Sequence, residues 1–521
     1  MERRTHSTNA ESAMDPDYRL AVSRNIAKQT GCNNVILFDD VVNAVDPSQR
    51  HELTGLPGYE RAIIPAIPLT VALDTTVITQ APPLPSELVL AQAILDKVPN
   101  RRGFKILTPV DGEFVDIFML FTKDPQKYQE LVLTTYQNPP TDNPAFHVDA
   151  VQEIFGHNGI GKSLLLPFQT TDWHYQQFKD LISDGGVVLP SSSQRWISKG
   201  EAYEYFESAN LGHLFPKTHF IRMDPRREKS ADNLLALSDN IADVCHNMVQ
   251  NGKVPYVKLV SAGVSGIGNV RPDDNPLLDN NLDVGAKRDK FRKLVLSKLQ
   301  HAVQTPDAVV EEAQRTERDS FGRREYIASG VVVDCQFHLW SVCRTVNTEQ
   351  DHYNGMMCAP SPKEIGLPAE TYMKIASDMN DLAHAMADGG YKLGYATKDL
   401  ILVGDRPVFH DHNDRRGGRS VGEVVSAFLE IAIYDKDYSV EVPAGLSHGE
   451  FSMKLTNKLM AEGYFPYGTC TTYFPKANGT QTIVKVKALC PLSQLTENKL
   501  EGEEIDTAAD RILSRVVESI K

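Results

Sequence analysis

No apolar stretch in these 521 residues approaches the length of a membrane span. The opening MERRTHSTNAESAMDPDYRL has no apolar core of the kind a secretion signal needs, and residues 1–20 read as a flexible lead. Cysteine is sparse and unpaired in pattern: seven residues, at 32, 245, 335, 343, 358, 470 and 490, an odd total with no C-x-x-C spacing. That argues against a disulfide frame and a zinc site, and suits a reducing cytosol. Basic residues do not gather into a stripe, and the formal net charge is −14, which argues against general binding to nucleic acid or anionic membrane. RREK (226–229) and KRDKFRK (287–293) read as solvated surface. There is no internal repeat and no low-complexity tract. What remains is an ordinary globular composition on a chain long enough for about three domains.

The most informative stretch is KDLILVGDRPVFHDHNDRRGG (398–418). Gly404-Asp405-Arg406-Pro407 punctuates two apolar runs, which predicts a two-stranded hairpin. Side chains alternate along a strand, so Asp411 and Asn413 share one face while His410 and His412 take the other. Asp399 lies on the preceding strand, within reach of that pair in a suitable register. Two carboxylates, a carboxamide oxygen and a following Arg415 make a hard-oxygen site with a cation beside it. Mg2+ held between protein and nucleotide phosphate takes such ligands. A hairpin with a polar face turned to water has the same pattern. The alternation separates the two histidines from Asp411 and supplies no third ligand, so a transition-metal site is disfavoured.

VPYVKLVSAGVSGIG (254–268) is a short apolar strand that carries one lysine and enters a loop of three Gly and two Ser. Lys258 shares a face with Tyr256 and Val260, a position that calls for a partner. Small residues let backbone N–H groups crowd round an anion, and the ammonium adds a point charge.

With these residues the chain resembles the ATP-grasp superfamily, ligases that clamp ATP between two α+β lobes. The resemblance covers roughly residues 190–425. It includes Lys199 in WISKGEAYEYF, Lys258 followed by Gly263-Val264-Ser265-Gly266-Ile267-Gly268, and an acidic stretch AVVEEAQ (308–314). It closes on Asp399, then Asp411, Asn413 and Arg415 at alternate positions. The family usually has Glu where Asp411 stands. The resemblance implies ATP on Lys199 and Lys258, under a flap containing Gly263, Ser265, Gly266 and Gly268, with Glu311 and Glu312 near adenine and ribose. It implies Mg2+ on Asp399, Asp411 and Asn413, with Arg415 and Arg416 neutralising a substrate carboxylate and the later oxyanion. The implied reaction is carboxylate–amine ligation through an acyl phosphate in the cytoplasm, on small molecules such as amino acids or peptides. An ATP-grasp phosphotransferase and a non-catalytic nucleotide-binding protein are the alternatives.

The expected fold is α/β with α+β lobes. An open, largely parallel sheet domain occupies 21–190, and its strands are NVILFDD (34–40), AIIPAIPL (62–69), KILTPV (105–110), LLLPF (164–168) and GVVLPS (186–191). A small lobe follows over 191–315, a central lobe with the hairpin over 316–438, and an α+β cap over 439–521. In the central lobe Asp334, Gln336 and His338 are expected on one strand face, opposite Cys335. GHNGIGKS (156–163) satisfies the phosphate-loop pattern G-x-x-x-x-G-K-[ST] letter for letter. That motif needs a strand before it and a helix after it, whereas DAVQEIF reads as helix and SLLLPF as strand. Lys162 is therefore expected to be a loop residue.

Overall fold

The computed structural model describes residues 15–38, 62–137, 146–158, 161–192, 196, 199–222, 230–259, 269–272, 275–279, 281–300, 308–314, 317–319, 322–347, 353–413, 415, 420–443, 445–467, 474–475 and 482–520. Among these, the first six strands are β1 (Asn34–Phe38), β2 (Asp74–Ile78), β3 (Phe104–Val110), β4 (Glu113–Asp116), β5 (Ser163–Leu166) and β6 (Val187–Val188). They form one sheet in the order β4-β3-β2-β1-β5-β6, parallel except for β4 at the edge. Val35, Ile36, Leu37 and Phe38 are all buried, as are Leu164 to Leu166, the uniform burial of strands covered on both faces. The expected open parallel sheet is there, with one strand misplaced. Residues 62–69 are helical, Ile63–Ala66 followed by a 3-10 turn Ile67–Val71. Pro65 and Pro68 cannot donate to a central ladder, and a short apolar run fits a buried helix equally well. The strand is the β-branched Asp74–Ile78 instead.

A second sheet, β7 (Thr218–Ile221), β8 (Pro255–Leu259) and β9 (Ala308–Glu312), is antiparallel in the order β7-β9-β8. The helices Ala231–Gln250 and Val284–Gln300 share its core of Leu237, Ile241, Val257, Phe291 and Val310. The ribbon β10 (Arg318–Asp319) and β11 (Gly322–Arg323) leads into the largest sheet. Its strands are β12 (Glu325–Val333), β13 (Gln336–Asn347), β14 (Tyr353–Cys358), β15 (Leu393–Val403), β16 (Arg406–Asn413), β17 (Ile433–Glu441), β18 (Phe465–Tyr467), β19 (Phe474–Pro475) and β20 (Thr482–Pro491). The order is β16-β15-β12-β13-β14-β17-β20-β18, with β19 also on β20. β16 is therefore an edge strand. Tyr372, Ile375, Met379 and Leu382 of the helix Ala369–Asp388 pack in the same core as Tyr326, Val342 and Leu400.

Two expectations about the central lobe change. The segment 439–521 is no separate cap: β17 crosses the expected boundary and pairs with β20 from Ile433↔Pro491 to Glu441↔Ile483, so the C-terminal strands extend the central sheet. Nor do Asp334, Gln336 and His338 lie on one strand. Asp334 (φ 51°) and Cys335 (φ 62°) form the two-residue turn between β12 and β13, the positive-φ pair that suits a right-twisted hairpin. Cys335 is consequently half-exposed rather than a core residue. His338, on β13, faces the helix Pro16–Thr30, with its Nδ1 3.1 Å from the Tyr18 hydroxyl.

The β12–β13 register shifts between Ser329 and Gly330. A Cβ at Gly330 would overlap the His338 carbonyl and stand 2.6 Å from Cζ of Phe337. Gly330→Ala is expected to cost about 1–3 kcal/mol by overpacking, read as a lower urea midpoint; an unchanged midpoint would mean the bulge relaxes freely.

Candidate functional site

The β15–β16 hairpin turns at Gly404, whose φ of 63° a side chain would resist. From Val403↔Arg406 to Leu400↔Phe409 its register is regular. Continued by one residue, that register would set His410 against Asp399. It does not continue: a shift between Asp399 and Leu400 bulges out His410 and sets Asp411 against Asp399, with Thr397 against Asn413. The expected proximity of Asp399 and Asp411 is thus a direct cross-strand pairing. Asp411 is 8% exposed, its Oδ1 accepts the His412 N–H at 2.9 Å, and its Oδ2 accepts Asn413 Nδ2 at 3.4 Å. Like charges directly opposite on a sheet repel. Two opposed carboxylates with a carboxamide two residues on are a donor set that fits a hard divalent cation, which would remove that repulsion. Among the described residues no cluster of three His, Cys, Asp or Glu side chains is set to hold a metal. His412 packs edge-on to Phe206, with ring centroids 5.3 Å apart, and lies 6.0 Å from Trp196, in an aromatic core away from the carboxylates.

Lys258 on β8 has the partner its position called for. Its ammonium is 2.7 Å from Glu311 Oε1, with both side chains 3% exposed, and it also donates to the His410 carbonyl. Glu311 and Glu312, both expected near adenine and ribose, face opposite ways, as neighbours on a strand do. Glu311 joins the Lys258 site, while Glu312 bonds Lys253 at 2.6 Å on a half-exposed face. Lys199 opens the helix Lys199–Ser208, one turn before Tyr203. Tyr203 was not singled out from the sequence, yet its hydroxyl donates to the same His410 carbonyl at 2.8 Å. Burial pushes that hydroxyl well above the usual phenol range, and the nearby Glu311, Asp411 and Asp399 carboxylates push it further. Tyr203, Glu311, Lys258 and the two aspartates therefore share one electrostatic neighbourhood. Its place one turn into the helix that Lys199 opens is the one signal the sequence held.

Arg415 is half-buried, with its guanidinium 5.8 Å from the centre of the Phe168 ring. Phe168 follows β5 at the carboxyl end of the parallel sheet, the end where ligands bind in open α/β sheets. The first domain thereby reaches the hairpin. Gly263, Ser265, Gly266, Gly268 and Arg416 lie outside the described residues.

The phosphate-loop pattern is accidental. A helix, Phe146–Asn158, precedes it and the strand β5 follows, the reverse of what that motif needs. Lys162 Nζ donates to the Thr30 carbonyl at 2.7 Å. Lys162→Ala is expected to leave ATP affinity unchanged in a calorimetric titration; a loss of binding would reinstate the loop. Among the described residues no helix is long and apolar enough to cross a membrane.

No family model and no curated protein matches the chain. Solved structures to which it is similar include an L-amino acid ligase from Bacillus licheniformis, 12% identical at a TM-score of 0.41, covering 89% of this chain and 96% of that one. Another is an N5-carboxyaminoimidazole synthase from Aspergillus clavatus in complex with ADP and 5-aminoimidazole ribonucleotide, 10% identical at 0.45, covering 94% and 100%. A third is the VanG D-Ala:D-Ser ligase from Enterococcus faecalis, 14% identical at 0.39, covering 76% and 98%. With TM-scores below 0.5, none of these likenesses bears on the reading of the site, which rests on its residues.

Proposed function

We propose that this chain is an ATP-dependent carboxylate–amine ligase of the ATP-grasp type, acting on small molecules such as amino acids or peptides. The observation that carries the proposal is the Asp399–Asp411 pairing, with Asn413 two residues on and the buried Lys258 bonded to the intervening His410 carbonyl. A divalent cation and a polyphosphate are the ligands that make sense of two opposed carboxylates beside a buried ammonium.

In this reading ATP lies between the β7–β9–β8 sheet and the β15–β16 hairpin. Lys258 spends two of its three donors on Glu311 and His410, which leaves a third for a phosphate oxygen. Lys199 takes another phosphate oxygen. Asp399, Asp411 and Asn413 would hold Mg2+, which would supply charge neutralisation to the phosphates. A substrate carboxylate oxygen attacks the γ-phosphorus; the bond from phosphorus to the β-phosphate oxygen breaks and ADP leaves. Arg415, whose guanidinium stands 5.8 Å from the Phe168 ring centre, holds the carboxylate. An amine nitrogen then attacks the acyl carbon, the C–O bond to phosphate breaks, and the amine loses a proton. Arg415 faces the oxyanion formed on the way.

The test is ADP release with Mg-ATP and pooled amino acids, run with and without hydroxylamine. Hydroxamate that appears only with particular acids supports the ligase and names half of its substrate. ADP release with phosphate transfer and no hydroxamate would replace the ligase by a phosphotransferase.

A further inference from the structure

We propose that Tyr203 is a positioning residue for the Asp399–Asp411 pair, acting through the carbonyl of His410; this rests on the metal-nucleotide reading of the site. The pairs Leu400↔Phe409, Ile401↔Val408, Leu402↔Pro407 and Val403↔Arg406 are regular, and only the extra residue at His410 brings Asp411 rather than a histidine opposite Asp399. The carboxylate pair therefore exists because of a one-residue bulge. A bulge interrupts the ladder and leaves local backbone groups without their ladder partners.

Among the described residues β16 is also the last strand of its sheet, beside β15. The His410 carbonyl is held from outside, by the Tyr203 hydroxyl at 2.8 Å and by the Lys258 ammonium. The two donors differ in what nucleotide binding asks of them. Lys258 is shared with Glu311 and, in the proposed reading, with phosphate. The Tyr203 side chain is buried and its hydroxyl, unlike the ammonium, is not shared with Glu311, so its bond to the carbonyl does not depend on which partners the ammonium holds.

The helix that carries Tyr203 is itself fixed at its first turn. A Cβ on Gly200 would overlap the Phe220 ring of β7, so the helix and the small sheet are in van der Waals contact there. Farther along, Tyr203 packs its ring edge-on against Phe215 at 4.9 Å. The hydroxyl is thus presented from a rigid platform, as a group that orients metal ligands must be.

The experiment compares Mn2+ binding, by loss of the free-ion electron paramagnetic resonance signal, in wild type, Tyr203→Phe, Tyr205→Phe and Asp411→Asn. Each is titrated with Mn2+ in the presence of ADP, and ADP binding is measured separately by calorimetry in EDTA. Tyr203→Phe should weaken Mn2+ binding about tenfold, in the range of orienting partners of metal ligands, and leave metal-free ADP binding unchanged. Tyr205→Phe, on the same helix, should match wild type in both. Equal Mn2+ binding by wild type and Tyr203→Phe would overturn the positioning role while leaving the metal site intact. A parallel loss of Mn2+ and of metal-free ADP binding would overturn it in favour of general support of the fold. Wild-type protein that leaves Mn2+ free, or an Asp411→Asn variant that binds it as wild type does, would overturn the metal reading and this role with it.

Discussion

Lys258→Ala should abolish nucleotide binding and at the same time destabilise the protein by about 3–5 kcal/mol, the cost of leaving a buried charge without its partner. The two effects have different sources. Glu311 sits on the central strand of the small sheet with 3% of its side chain exposed and its carboxylate against the Lys258 ammonium. With the ammonium gone, that carboxylate must either stay charged in a low-dielectric site or take up a proton. Loss of binding in Lys258→Ala alone would therefore mix a missing phosphate ligand with a weakened lobe. The double replacement Lys258→Met with Glu311→Gln separates them, because a buried pair replaced as a unit is often neutral in stability. It should regain most of the lost stability in a urea titration and none of the ATP affinity in calorimetry. A double variant that binds ATP like wild type would make Lys258 purely structural.

Asp411→Asn is expected to retain ADP binding and to lose Mg2+-dependent turnover by at least about a hundredfold, since replacing a ligand should exceed the 10–100-fold cost of replacing its outer partners. The stability effect should have the opposite sign. Without metal, two carboxylates face each other at one cross-strand position. Neutralising one of them should hold stability level or raise it by about 0.2–1 kcal/mol in EDTA. The amide keeps an oxygen for the His412 N–H that Asp411 Oδ1 now accepts. Mg2+ should then stabilise the wild type and not the variant in a thermal melt. Normal Mg2+-dependent ADP release by Asp411→Asn would remove this pair from the chemistry.

The sequence made much of this site legible, because strand alternation is local. Lys258 on a short apolar strand, Asp411 and Asn413 on one face, and His412 on the other all follow from a period of two, and all are found so. The bulge at His410 is not local information. Its presence depends on donors from a helix and a strand some distance away in the chain, so the direct opposition of Asp399 and Asp411 was open until the register was seen. Glu311 and Glu312, adjacent in sequence, face different partners, Lys258 and Lys253, as alternation requires. The helical 62–71 stretch was misread because an apolar run has no period to distinguish a buried strand from a buried helix, although Pro65 and Pro68 carried the warning. The membership of β20 in the central sheet rests on pairing with β17 across some forty intervening residues, which no window of sequence displays.

That long-range pairing governs the order in which the lobe is made. As the chain is synthesised, β12 to β16 become available by residue 413, and β14 then presents an unpaired border until β17 arrives. β17 in turn exposes its own border until β20, residues 482–491, has been delivered. Lys436 on β17 is buried against Asp506, which is later still. Between residues 413 and 491 a nascent chain thus carries an open strand edge, and Lys436 waits for Asp506 as its partner. Such edges pair readily with other chains, and long-range strand pairing is slow to form. Among the described residues the central lobe is closed by its latest long strand, and until that strand arrives the border of β17 is open to pairing with another chain.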